Sequence, residues 1–529
     1  MAFSVAAPLI RPRHPITRMT VEISALSGSA FASLDGSRHN GAAELVDVLA
    51  SRLRLSMPPV WQVGRRRQAC LRKTKRPHCR HKRRAPDHRS HPRSGRQFDS
   101  PCARRHSPPS SLIHWMHGMA ANATAGFNIG ELADDRGVRE CLQWFTREKQ
   151  WINEIHLQLC RVPAPTFLEQ ERAAWFQEQF KSLGWPASID RAGNVIAAQG
   201  DGPYLALSAH LDTVIAPRNK EDISVDSEGR FCGPGVSDNG AGLAALLAMA
   251  RVWKNGAKLP ECPLGLLLVA NVGEEGEGNL LGMRHLCKQS PLARKIEGMV
   301  VVDGANTDHI TNRALGSRRF EIAFSGPGGH SWSDYGVGNP LHALCRAVAL
   351  FAETRIEGTP KSAINVGLIE GGSSVNAIAQ LARAKVDIRS ESNSRMDELV
   401  ELLSAAVERA REIENQRSTG GKVTGKLKDI GSRPAAALPE SAPILQCVRA
   451  VDAHLGIRSH LDCSSTDANI PLSLGIPALA IGAGGLGGGA HTTQEWFRPE
   501  GRDLGLKRIF LTLLQLMRGT PETPGSAGK

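Results

Sequence analysis

Gly265-Leu-Leu-Leu-Val-Ala-Asn271 runs through Val272-Gly273 into Glu274-Glu275-Gly276-Glu277-Gly278. A short, unbroken apolar run followed by glycines and acids predicts a buried parallel strand from Leu264 to Asn271 with polar chemistry at its tip. Two adjacent carboxylates at a buried strand end repel each other unless cations or protons compensate. Neighbouring strand residues also point to opposite faces, so the pair suits two different tasks.

Working outward, the same pattern recurs. Tyr204-Leu-Ala-Leu-Ser-Ala ends at His210-Leu-Asp212, and Met299-Val-Val-Val ends at Asp303-Gly. A helix from Gly242 to Val252 opens just after Ser-Asp238-Asn-Gly, and the strand Ala478-Leu-Ala-Ile precedes a glycine-rich stretch ending at His491. Strand, polar tip and helix alternate, which is the α/β signature, and a mainly parallel sheet gathers such tips into one crevice at its carboxyl edge. Helical spacing over Glu140–Gln158 and Leu168–Leu183 adds flanking helices.

Taken singly, each tip has a plain explanation. Asp238 reads as a helix N-cap, Asp303 as a turn residue, Glu277 as a solvated acid, and His210-Leu-Asp212 as an Asp that takes the other ring N–H of His210 or sits behind it. Together, two imidazoles and several carboxylates match a site for divalent metals, with one carboxylate spare to move protons. Gly482-x-Gly484-x-x-Gly487 formally fits a dinucleotide fingerprint, but His-Thr-Thr-Gln-Glu-Trp follows where a helix is required, and the helix Asp503–Met517 starts too late.

Between residues 316 and 424 the texture changes. Arg319–Phe324 alternates with period two, then come a helix Pro340–Thr354, strands Ala363–Ile369 and Gln380–Ile388, a helix Met396–Ile413 and a strand Lys422–Leu427. That β-α-β-β-α-β order is a ferredoxin-like unit inserted into the first domain. The expected organisation is a basic disordered extension (1–127), a catalytic domain in two parts (128–315 and 425–518), the inserted lid or dimerisation domain (316–424) and a short disordered tail (519–529).

The net charge of +13 is uneven. Residues 1–127 carry 22 Lys/Arg against 6 Asp/Glu (+16), which leaves 43 against 46 (−3) for the remainder. Such an arm favours disorder over a fold. Its lack of interleaved aromatics argues against stacking on nucleic acid, and Cys70, His78, Cys79, His81 and Cys102 fit no zinc module by spacing. Nucleic-acid association through this arm stands as the rival reading from a different class. Eleven scattered cysteines without a Cys-x-x-Cys motif point to reduced thiols and a cytoplasmic setting, and no run of apolar residues is long enough to span a membrane.

Residues from about 135 to 518, by these six ordered tips and the placement of the inserted domain, resemble the co-catalytic zinc peptidase/deacylase family. That family includes peptidase T, glutamate carboxypeptidase, acetylornithine deacetylase and succinyl-diaminopimelate desuccinylase. The resemblance implies that His210 and Asp303 hold one metal, that Glu275 and His491 hold the other, and that Asp238 bridges both. It implies two divalent ions, Zn2+ with Co2+ or Mn2+ as alternatives, and Glu274 as general base with Asp212 behind His210. His330, in Gly326-Pro-Gly-Gly-His330-Ser, looks like the histidine that dimeric relatives send into the partner's site. Asn376 and Arg389 match positions that bind a substrate carboxylate. The expected activity is hydrolysis of an amide in a di- or tripeptide, aminopeptidase-like, or in an N-acyl amino acid as a deacylase would, with a homodimer formed through 316–424.

Overall fold

A computed structural model of the 529-residue chain describes residues 127–519. The basic arm, its Cys/His cluster and the end of the tail lie outside these described residues.

Nine strands form the main sheet. Its inner four, Gly265–Asn271, Tyr204–His210, Ile296–Val302 and Ala478–Ile481, run parallel in that spatial order. Antiparallel partners flank them, Val195–Gln199 on one side and His309–Ala314 on the other, the latter also pairing in parallel with His460–Ser464. Alternate side chains of the inner strands serve two cores. Leu205, Leu207, Leu266 and Leu268 pack with the helices Gly240–Trp253 and Arg502–Arg518. Ala206, Leu267 and Val269 pack on the opposite face with Met283 and Leu286 of the helix Leu281–Lys288. Burial on both faces is why these strands read as unbroken apolar runs, each buried Leu contributing about 1.5–3 kcal/mol.

A second, four-stranded antiparallel sheet is formed by residues 316–433, in the order Ser362–Gly371, Leu381–Ser390, Gly316–Ser325, Thr424–Arg433. Helices Pro340–Ala352 and Asn393–Arg417 cover one face, where Phe320, Ile322 and Phe324 meet Leu344, Leu399 and Leu403. The element order and strand order are ferredoxin-like. Its last strand runs on to Arg433, well past residue 424, because Gly431–Arg433 continue to pair with Arg319–Ser317 after a bulge that follows Asp429.

Three details differ from the sequence reading. The helical stretch 140–158 is two helices, Arg136–Arg147 and Lys149–Cys160, broken at Glu148, where the first helix is capped by the Glu148 N–H to the Trp144 carbonyl. The strand leading to the acidic pair stops at Asn271, so Glu274 and Glu275 stand on a loop and strand alternation does not orient them. The strands His309–Ala314 and His460–Ser464 were not anticipated, since mixed polar residues at a sheet margin carry no apolar signal.

Candidate metal centre

The carboxyl ends of the parallel strands deliver Glu274–Glu275, Asp303 and the His491 loop to one cleft of about 520 Å³, with His210 buried at the end of its strand against Asp238. Asp238 arrives differently. It precedes the helix Gly240–Trp253, whose N-cap is Asn239 and not Asp238. The Asn239 amide accepts from the N–H groups of Gly242 and Gly304 at 3.1 Å and donates to the Val302 carbonyl at 2.8 Å. That one side chain ties the helix start to the strand tip carrying Asp303, so Asp238 and Asp303 face the same space. Only glycine fits at 242, because a Cβ there would lie 2.2 Å from Asn239 Oδ1 and 2.7 Å from the Val302 carbonyl.

Asp238 lies between the two imidazoles. His210 Nε2 is 3.1 Å from its Oδ1, and His491 Nε2 is 3.1 Å from its Oδ2. His210 Nε2 is also 3.7 Å from Asp303 Oδ1, while His491 Nε2 is 3.0 Å from Glu275 Oε1. Ligating atoms of His210, Asp238 and Glu275 all fall within 4.8 Å of one another, as a shared cation requires. The five residues anticipated from sequence as ligands are therefore brought together, in two groups that share Asp238.

The electrostatics ask for positive charge here. Burial pulls His210 down, but the surrounding carboxylates of Asp212, Asp238 and Asp303, with Asp238 hydrogen-bonded, outweigh it and hold its imidazole well above 6.5. Hydrogen bonds from His491 to Asp238 and Glu275 push that ring up to about 10. Burial opposes ionisation of Asp238, yet the two imidazoles keep its carboxyl well below the usual carboxylate range. A buried cluster that holds protons this tightly is one in which divalent cations can replace them, and imidazole-plus-carboxylate donors suit borderline metals such as zinc. The donor set fits two divalent ions.

The roles around this centre are more specific than the sequence suggested. His210 Nδ1 is 3.0 Å from the backbone carbonyl of Asp212, which fixes the ring tautomer with Nε2 toward Asp238. The Asp212 carboxylate, 3.6 Å from the ring, accepts instead from the N–H groups of Glu274 and Glu275 at 2.9 Å each and from the Thr166 hydroxyl at 3.0 Å. Asp212 thus holds the acidic loop rather than chiefly holding the imidazole. Glu274 is buried against Arg433, 2.8 Å from it. Burial pushes the Glu274 carboxyl up while the Arg433 charge opposes the shift.

Arg389 and Arg319 also line the cleft. Both guanidiniums donate from Nε to Asp387, at 2.7 and 3.2 Å. His330 and Asn376 do not line it. They lie together on a two-stranded ribbon of the inserted domain, where Ser331 donates to the Asn376 carbonyl at 2.9 Å, beside the exposed Trp332 and Tyr335.

Sequence reasoning passed over Arg433 and Glu495. Arg433 lies far along the chain in another sheet, and nothing local marks it. Glu495 could have been found as the acid four residues after His491, in a segment whose glycines already signalled close packing.

The model of peptidase family M20/M25/M40 matches residues 206–515. Among curated proteins, the chain is 25% identical over 323 residues to the cytosol non-specific dipeptidase of Escherichia coli, covering 54% of this chain and 62% of that one. It is 31% identical over 104 residues to a LysW-lysine hydrolase of Deinococcus radiodurans, covering 20% and 28%. The matched stretch thus spans less than two thirds of either relative. The fold is similar to that of a tripeptidase from Staphylococcus aureus, with a TM-score of 0.58 and 20% identity over 70% of this chain and 98% of that one.

Proposed function

The chain belongs to peptidase family M20/M25/M40, and from that premise we propose that it is a metal-dependent hydrolase of an amide bond in a di- or tripeptide or an N-acyl amino acid. The observation that carries this reading is Asp238 lying 3.1 Å from both His210 and His491, with a separate buried carboxylate, Glu274, beside them. His210, Asp238 and Asp303 would hold one ion, and Asp238, Glu275 and His491 the other. Two such ions, Zn2+ or alternatively Co2+ or Mn2+, would supply Lewis acidity to a scissile carbonyl and acidify an attacking water.

The protein's own residues do the rest. Glu274 takes the proton of the attacking water on its carboxylate and returns it to the leaving amine, so no net proton is consumed. A general base works best with a pKa near the working pH, and burial opposed by Arg433 brings those two influences to bear on one carboxylate. Asp212 fixes the loop that carries Glu274 and Glu275. The guanidinium of Arg389, with Arg319 beside it, presents planar N–H donors to a substrate carboxylate.

The domain organisation we propose is a catalytic body of residues 128–315 and 434–518 with an inserted lid or dimerisation unit of residues 316–433. In a homodimer, the ribbon bearing His330, Asn376, Trp332 and Tyr335 would reach the partner's cleft, where His330 donates to the developing oxyanion. Among the described residues all cysteines are free and no helix is long and apolar enough to cross a membrane. The free thiols support a reducing, cytoplasmic setting. The deciding experiment is hydrolysis of a panel of di-, tripeptides and N-acyl amino acids with and without chelator. Activity that is lost to chelator and restored by Zn2+ or Co2+ supports the reading, and full activity after metal stripping refutes it.

A further inference from the structure

His491 differs from the other candidate ligands in its surroundings. His210 and Glu275 are buried on or beside strands of the main sheet, whereas the His491 side chain is 52% exposed and residues 489–494 are exposed around it. Its backbone also sits at φ +64°, a left-handed conformation that non-glycine residues keep only where neighbours enforce it. Something must hold this loop against Asp238.

Glu495, directly after that stretch, is buried, at 2% exposure. Its Oε1 accepts from the backbone N–H groups of Ser237 and Asp238, and its Oε2 from that of Gly235, all at 2.7 Å. Its own carbonyl accepts from Gly233 at 2.9 Å. Immediately beyond, Trp496 and Phe497 pair with Cys232 and Phe231 in a small sheet separate from the main one. The segment that carries His491 is thereby stitched, over its whole anchored length, to the segment that ends at Asp238.

We propose that Glu495 is a positioning residue that locks the His491 loop to the Asp238 loop and so builds the second cation position. The first position shares Asp238 but takes His210 and Asp303 from strand ends of the main sheet, so it depends on Glu495 less. This inference rests on the metal reading above. The carboxylate matters as well as the shape, since both oxygens receive N–H groups. A glutamine in the same rotamer would present an amide N–H to one of those donors, leaving it facing another donor in a buried site.

The test is zinc titration of metal-stripped full-length protein, wild type against Glu495→Gln and Glu495→Ala, by calorimetry with a competing chelator, alongside circular dichroism. The wild type is expected to take two ions per chain. Both variants should keep one ion with a clearly smaller loss of affinity and bind the second about 10–100-fold more weakly, the usual cost of losing such an outer support. Folded variants that bind both ions like the wild type overturn the proposal. So does a Gln variant that loses the native circular dichroism, because the carboxylate then holds the fold and not the ligand pair. A wild type that binds no ions overturns the metal reading itself and removes the basis for this one, an outcome distinct from either.

Discussion

Arg433, the last residue of the inserted sheet, places its Nη1 2.8 Å from Glu274 Oε1 and also donates to the Glu274 backbone carbonyl and, at 3.1 Å, to Ser465. Both side chains are almost wholly buried, at 6% and 7% exposure. Removing one partner of such a pair strands the other charge and costs about 3–5 kcal/mol. Arg433→Met is therefore expected to lower the urea midpoint clearly and to depress turnover with it. An unchanged midpoint, read by fluorescence, would show the pair to be dispensable.

Glu274→Gln keeps the shape and removes the base. The metal content should equal that of the wild type, because no candidate ligand is touched, while kcat falls by about 10²–10⁴-fold. Elemental analysis and steady-state kinetics on the same preparation check both halves. Retained turnover assigns the proton transfer elsewhere.

The substrate wall gives a separate expectation. A charge-assisted hydrogen bond is worth about 1.5–3 kcal/mol, so capping a peptide substrate's carboxylate as an amide should lower kcat/KM by about tenfold or more. In Arg389→Ala the capped and free substrates should become nearly equal. Unequal loss in that variant would place the carboxylate on other residues.

A buried histidine away from the centre sets an acid limit on stability. Burial and the Arg502 charge hold His156 well below 6.5, against the pull of the Val236 carbonyl. Arg502 donates to its Nδ1 at 2.8 Å, so the neutral ring must donate from Nε2 to Val236 at 2.7 Å. Below the unfolded value of 6.5 the unfolded chain takes up a proton that the folded chain refuses. Stability from this group is thus present above that pH and is lost as the pH falls, by up to about 1.4 kcal/mol per pH unit. Denaturant midpoints with chelator present, between about pH 7.5 and 5.5, should fall less steeply for His156→Gln than for the wild type. Equal slopes would contradict the assignment.

What the sequence made legible was whatever repeats locally. Apolar runs buried on both faces, such as Leu205–Leu207 and Leu266–Val269, announced the parallel strands, and His210 and Asp303 marked where two of them ended. The inserted domain was readable because its strands alternate, Phe320, Ile322 and Phe324 facing in. Long-range polar contacts left no such trace. The register that sets Glu495 under Asp238, the reach of Arg433 from a different sheet to Glu274, and the turn of Asp212 toward the Glu274 and Glu275 amides all depend on tertiary placement. A single residue without a period around it gives no warning of that.

The central claim is that His210, Asp238, Glu275, Asp303 and His491 form one two-ion site. Elemental analysis of dialysed full-length protein beside Asp238→Ala tests it most directly. The wild type should retain two divalent ions per chain, and loss of the shared carboxylate should release both or leave at most one weakly held. Equal metal content in the two proteins, or none in the wild type under saturating zinc, would contradict it.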